Sequence, residues 1–338
     1  MSFAPPPRLS VEDEYRHGAH QQSGTGLYGD TLWVSVVDPE ARVHGVIHFH
    51  LTCNGFARFE SLFVIDGAVQ LYGNKIPLDK KPDQGPWSDG RLSYSVIDPW
   101  NHIKITLDWE AYSFDLDFKG RFAPFDYADC LPNGDPLAKA GPLHGGHYEQ
   151  AMNCSGSFQI HRGPHAGETR RISCWSHRDH SWSDRFAIAP QWQVPEAHIA
   201  SHYWPSIQLP DRHINVFGSY FENDLPPEQK SIGGFVSDEN GSRPLLNATA
   251  VLPGDRTPAC RTASEFSYSF TLPDGEVINV RSTEHYGTIQ LWLRAENDLE
   301  NRMDCYEAFC DFEVEETGEK GTGTAEYSIM PVFPQWKA

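Results

Sequence analysis

Hydrophobic and polar residues alternate along this chain with a period of two, in short runs broken by turn residues. The clearest run is Tyr112, Phe114, Leu116 and Phe118, interleaved with Ser113, Asp115, Asp117 and Lys119. Successive side chains of a strand point to opposite faces, so the pattern predicts a half-buried β-strand. Residues 31–36 begin the series. Residues 43–51 follow, with Val43, Gly45, Ile47, Phe49 and Leu51 on one face and His44, Val46, His48 and His50 on the other. Further strands are expected at 58–65, 68–72, 92–97, 102–109, through Ile160, and at 170–177. The second half continues at 198–207, 212–221, 232–236, 248–252, 264–271, 276–282, 288–294, 306–313 and 324–332. Asn54-Gly55, Asp66-Gly67 and Pro273-Asp274-Gly275 supply turn chemistry between them. No stretch sustains helical periodicity beyond two turns.

Short strands spaced about ten residues apart predict an all-β fold of antiparallel barrels or sandwiches. Two halves of similar style predict two stacked β domains, residues 1–190 and 191–338, with no residue-level repeat visible between them. Residues 1–28 are rich in Pro, His and charge and read as an arm or capping segment.

Composition narrows the function classes. The 338 residues carry a net charge of -19, which repels polyanions, so neither nucleic acid nor an anionic membrane surface is expected as a partner. Aromatics reach 12%, which suits pleated sheets with substantial cores. The cysteine count is 7, with no Cys-x-x-Cys, so reduced thiols in a cytoplasmic protein are expected, without a disulfide framework. No secretory leader and no apolar run of membrane-spanning length is read in the sequence. A homodimer is compatible with all of this.

The densest chemistry lies in Cys174 to Arg185, with two Trp, two His, two Arg and two Asp. In an extended segment Arg178, His180 and Trp182 share one face, while Asp179, Ser181 and Ser183 share the other. His180 is the candidate proton-transfer residue, with Asp179 or Asp184 holding its tautomer. Arg178 and Arg185 are candidates for binding an oxyanion or pairing with the aspartates. Against this stands a structural ion-pair network at a barrel rim. Glu149, after the His144-Gly145-Gly146-His147-Tyr148 turn, is a candidate acid or base, or a surface residue beside a tight turn. His48 and His50, two apart on one strand, fit two ligands of one metal, with His102, His144 or His147 as a third, or else a polar sheet face. No nucleophile elbow, phosphate loop or dinucleotide fingerprint is present, so no cofactor is expected.

Residues 178–185, Arg-Asp-His-Ser-Trp-Ser-Asp-Arg, resemble the Arg-Asp-His-Ser-Trp-Gly-x-Arg signature of a bacterial family of lipocalin-like proteins of uncharacterised function. That family is distantly similar to the carotenoid hydratases and to lipocalin-like intramolecular Diels–Alderases. Residues 147–156 resemble its Tyr-Glu-Gln stretch, and Gly321-Thr322-Gly323-Thr324-Ala325-Glu326-Tyr327 its closing Gly-x-Gly-x-x-Glu-Tyr. Ser183 stands where the signature has Gly. The resemblance implies two lipocalin-like domains, a ligand cavity at or between them, and cofactor-free chemistry on a hydrophobic substrate, with His180 and Trp182 lining the site. The hydratases' partner acid lies on a later strand; residues 212–221 offer Tyr220 but no aspartate. Glu149 and Tyr220 are therefore the candidate partners of His180. Trp109, Tyr112, Tyr148, Trp182, Tyr203 and Trp204, with His48 and His50, are the expected substrate-lining residues. The leading expectation is a lyase acting by acid–base chemistry on an aromatic or isoprenoid small molecule. The alternatives are a hydrophobic-ligand carrier, an isomerase or cyclase, and a metal enzyme using His48 and His50.

Overall fold

The period-two pattern is realised as antiparallel strands throughout. The structure, a computed structural model, describes residues 2–17, 29–52, 56–77, 87–136, 145–183, 202–251, 263–292 and 304–329. The first sheet contains β1 (Gly29–Asp38), β2 (Val43–Thr52), β3 (Phe56–Ile65), β4 (Ala68–Pro77), β5 (Trp87–Ser88), β6 (Leu92–Asp98), β7 (His102–Asp108), β8 (Tyr112–Gly120), β9 (Phe125–Asp126), β10 (Gly146–Ile160) and β11 (Thr169–Ser183). The second contains β12 (His202–Gln208), β13 (Arg212–Ser219), β14 (Gly233–Asp238), β15 (Gly241–Pro244), β16 (Asn247–Val251), β17 (Ser267–Thr271), β18 (Val277–Trp292), β19 (Asp304–Val314) and β20 (Lys320–Ile329). Each sheet is curled into a half-barrel, and no α-helix occurs among the described residues. Short 3-10 turns, such as Val11–Glu14, are the helical exceptions.

The chain forms two compact units. One comprises Met1–Ala128, Leu137–Ala189 and Ser237–Ser242; the other comprises Asp129–Pro136, Pro190–Val236 and Arg243–Ala338. The first sheet runs β4-β3-β2-β1-β11-β10-β8-β7-β6-β5, so its first long strand pairs with its last. The apolar half of each alternating strand fills the curl. Phe49, Phe63, Tyr112, Phe114, Leu116, Phe118 and Phe158 are core residues of the first unit. Tyr203, Val216, Phe270, Phe312 and Tyr327 are core residues of the second.

Two expected boundaries change. The strands expected at 276–282 and 288–294 merge into one, β18 (Val277–Trp292), because register shifts between Ser282 and Glu284 and between His285 and Gly287 absorb the break in alternation. Residues 170–177 extend through Ser183, so the Arg-Asp-His-Ser-Trp segment is strand interior.

Register also exposes a repeat that the letters hide. In the first sheet Leu32 and Tyr148 flank His180, and the next rung places Trp33 and Glu149 beside Asp179. In the second sheet Tyr203 and Tyr306 flank Tyr327, and Trp204 and Glu307 flank Glu326. The same three-strand grid is thus built twice, with an imidazole at its centre in one copy and a phenol in the other.

Candidate active site

Strand alternation sorts the dense segment into two environments. His180 faces the core of the first unit, because its cross-strand partners Leu32 and Tyr148 and the next strand's Phe49 do. Arg178 and Trp182, two residues to either side, share that face. Asp179 lies in register with Trp33 and Glu149, and Trp33 with His48, so these side chains point the other way. The partner expected for His180 is corrected accordingly. Neighbours on a strand cannot meet across it, so Asp179 does not orient His180.

Asp30 does. His180 Nε2 lies 2.9 Å from Asp30 Oδ1, and its Nδ1 lies 3.2 Å from the Tyr148 hydroxyl. Both His180 and Asp30 are fully buried. The ring sits among Trp182, Tyr148 and Trp87, at centroid distances of 5.0, 5.4 and 6.2 Å. Gly146 faces Trp182 across the rung, and a Cβ there would penetrate the Trp182 ring, so only glycine admits the indole.

The N-terminal arm completes this site. Asp13 accepts hydrogen bonds from the Ser10 backbone N–H and hydroxyl, which tightens the 3-10 turn and aims Glu14 and His17 inward. Arg178 donates to Glu14 from both terminal nitrogens, at 3.0 and 2.8 Å, and to Gln150 Oε1 at 3.0 and 2.6 Å. Tyr148 donates its hydroxyl to Glu14 at 3.0 Å. The His17 backbone N–H donates to Asp30 at 2.6 Å, and its ring stacks on Trp182 with centroids 3.9 Å apart.

Charge follows from these contacts. Burial pulls the His17 imidazole down, but Asp13 and Asp30 outweigh it and push it up to about 9. Burial pushes the Asp30 carboxyl up, and His17 and His180 more than reverse that, holding it well below the usual carboxylate range. Arg178 is opposed by burial and kept charged chiefly by Glu14. Burial raises the Tyr148 phenol well above its ordinary value. A cationic imidazole, an ionised carboxylate and a neutral phenol thus converge on His180. The Tyr148 hydroxyl stands between Glu14 and His180 and can relay a proton between them, taking one on its oxygen as it gives up its own, which makes the set competent for proton transfer.

The other expected residues fall elsewhere. Glu149 is fully buried on the opposite face, where His147 Nε2 lies 3.2 Å from Oε1 and His177 Nε2 lies 2.7 Å from Oε2. Burial raises that carboxyl, and His177 and His147 overcome it to leave it lowered. His48 and His50 share this face; His48 Nδ1 lies 3.2 Å from Glu60, which stands directly across the strand pair. Trp109 and Tyr112 join Tyr72 and Phe158 in the first unit's core, and the Tyr112 hydroxyl donates to the Ser61 carbonyl, so they belong to the core's packing. Tyr203, Trp204 and Tyr220 are buried in the second unit, where Tyr203 and Tyr220 pack edge to face; Tyr148 takes the place expected of Tyr220. Arg185, Asp184 and His144 lie outside the described residues. Among the described residues, three groups bring metal-ligand atoms within 4.8 Å of one another: His17, Asp30 and His180; His147, Glu149 and Asp179; and His202, Cys305 and Glu326.

Asp30, Glu14 and His17 were missed in the sequence. Glu14 and Asp30 meet their partners 134 to 164 residues away, and His17 reaches Asp30 and Trp182 only once β1 and β11 are paired. One local signal was available: Ser10 followed by Asp13, a turn-capping spacing in a segment otherwise read as a plain arm.

Comparison with known proteins gives a consistent fold and no activity. The family model described as domain of unknown function DUF7064 matches residues 10–331. No curated protein matches the sequence. Among solved structures, an AttH-type protein from Nitrosomonas europaea matches at 12% identity, covering 98% of this chain and 100% of its own, with a TM-score of 0.63. Kievitone hydratase from Nectria haematococca matches at 13% identity, covering 96% and 94%, with a TM-score of 0.53. CghA in complex with Sch210972 matches at 11% identity, covering 90% and 88%, with a TM-score of 0.56.

Proposed function

The chain belongs to the DUF7064 family, whose description gives no activity, and from the geometry of its first unit we propose a lyase that works by acid–base chemistry on an apolar aromatic or isoprenoid small molecule. The observation that carries this reading is the buried Asp30–His180–Tyr148 set walled by Trp87 and Trp182. His180 is the proton-transfer residue and Asp30 orients it. Tyr148 relays a proton between Nδ1 and Glu14, taking one on its oxygen as it gives up its own, and the His17 cation, held on Trp182, stabilises developing negative charge. Addition or removal of water is the reaction favoured, because it needs only these groups and because one structural neighbour is named a hydratase. The hydrophobic substrate class is supported by the aromatic walls and, as fold-level analogy, by the small-molecule ligand named with CghA.

The test is incubation of the protein with a panel of prenylated phenols and isoprenoids in heavy-oxygen water, followed by mass spectrometry. For a compound that is turned over, His180→Ala is expected to cut turnover ~100- to 10,000-fold while circular dichroism stays unchanged. A His180→Ala protein with full turnover refutes the assignment.

A carrier is the second reading. It is favoured by the engagement of both His180 nitrogens and by the arm's ion pair at Arg178, which fit a latch as well as a catalyst. A carrier binds panel compounds stoichiometrically and returns them unchanged.

A further inference from the structure

Behind the His180 face, the same two strands carry a second cluster that the proposed chemistry does not use. Glu149 on β10 and Asp179 on β11 are directly opposed in register. Both are buried, Glu149 fully and Asp179 to within 9%. Like charges placed directly across a strand pair repel, and burial removes the water that would screen them. His147, two residues before Glu149, and His177, two before Asp179, stand on the same face; because the strands run antiparallel, His147 lies opposite Ser181 and His177 opposite Ala151, so the two histidines flank the carboxylate pair from opposite ends. His147 Nε2 lies 3.2 Å from Glu149 Oε1 and 3.7 Å from Asp179 Oδ2, while His177 Nε2 lies 2.7 Å from Glu149 Oε2. In a tetrahedral zinc site with bonds of ~2.0–2.2 Å, neighbouring donor atoms stand ~3.3–3.6 Å apart. The two distances from His147 bracket that value, and His147, Glu149 and Asp179 each bring one donor atom within 4.8 Å of the others, while His177 meets the second oxygen of Glu149.

The outer contacts are those a metal site requires. Ser181 Oγ donates to Asp179 Oδ1 at 2.9 Å, which fixes the carboxylate and leaves Oδ2 toward His147. Tyr127 stacks on the His147 ring with centroids 4.0 Å apart, and Trp33 meets His177 edge-on at 5.5 Å, so both imidazole planes are set by packing.

We propose that His147, Glu149 and Asp179 form a divalent-cation site, suited by its one nitrogen and two oxygen donors to zinc, with His177 holding the second oxygen of Glu149 from outside the ligand set. The ion neutralises the opposed carboxylates and pins β10 to β11 directly behind Tyr148 and His180. The site is independent of the reading of the His180 face.

The experiment uses the full-length protein produced with zinc in the medium, dialysed against buffer without a chelator, and analysed for metal by mass spectrometry beside Asp179→Asn, Glu149→Gln and His180→Ala. The first two are isosteric changes that relieve the repulsion, so folding is retained. Wild type and His180→Ala are expected to hold the same zinc content, at least one ion per chain, and each isosteric variant one ion fewer. Chelator competition should show an affinity loss exceeding the ~10- to 100-fold that removal of an outer-shell partner costs. Cobalt taken up in place of zinc should show the visible absorption of a tetrahedral site in wild type and lose it in both variants. Wild type holding less than one ion per chain, or variants holding as much as wild type, overturns the proposal and leaves the patch a proton-sharing network. A loss of zinc in His180→Ala equal to that in Asp179→Asn also overturns it, by placing the ion on the other face.

Discussion

Removing Glu14 should destabilise the protein far more than a surface carboxylate would. Arg178 is fully buried, and among the described residues Glu14 is its only acidic ion-pair partner, with two N–H···O bonds at 2.8 and 3.0 Å. Tyr148 adds a third bond to the same carboxylate. In Glu14→Ala the guanidinium keeps Gln150 and the face of the Tyr148 ring but no carboxylate, so a buried cation loses its counter-charge. Such a loss costs about 3–5 kcal/mol, whereas an exposed pair is worth at most about 1 kcal/mol. The assay is urea unfolding followed by tryptophan fluorescence, comparing Glu14→Ala, Arg178→Met and the double variant. The double variant should recover most of the loss, because a buried ion pair replaced as a whole by apolar groups is close to neutral. A loss below about 1 kcal/mol in Glu14→Ala, or full additivity of the two single changes, refutes the picture of the arm as a buried clamp.

Two further outcomes follow from the same site. Gly146→Ala should destabilise by about 1–3 kcal/mol and shift Trp182 fluorescence, because the new methyl enters the indole; an unchanged spectrum with unchanged stability contradicts the packing. His17 has a folded-state value of about 9, above the 6.5 of the unfolded chain, so its contribution is complete below pH 6.5 and is lost as pH rises through about 9. That contribution is at most about 3 kcal/mol, seen as a fall in unfolding free energy on the alkaline side that disappears in His17→Gln. A wild-type profile as flat as the variant's rules it out.

Much of the fold was legible because a strand's two faces are written locally. Tyr112 to Phe118 needs no distant partner to declare its apolar side, and the faces of Arg178, His180 and Trp182 follow from the same rule. Which residues meet across strands was not legible. His180 could be placed on a face, but Asp30, 150 positions earlier, reaches it only once β1 pairs with β11. Glu60 likewise stands opposite His48 only through the pairing of β2 with β3, so sequence spacing alone does not place a carboxylate beside the histidines. The break at His285 misread a bulged strand as two, since an extra residue reverses the alternation without ending the hydrogen bonding. The two-sheet repeat escaped for a related reason: what repeats is a set of rungs, spread over three strands each time, and no contiguous string carries it.

That duplicated grid separates what the scaffold fixes from what it leaves variable. A tyrosine on the penultimate strand with a glutamate beside it, and a tryptophan on the first strand, occur in both copies. The copies differ at Leu32 against Tyr203, at Asp179 against Glu326 and, at the centre, at His180 against Tyr327. The second sheet closes its rungs around a phenol where the first holds His180, so the packing of the grid does not by itself require the imidazole.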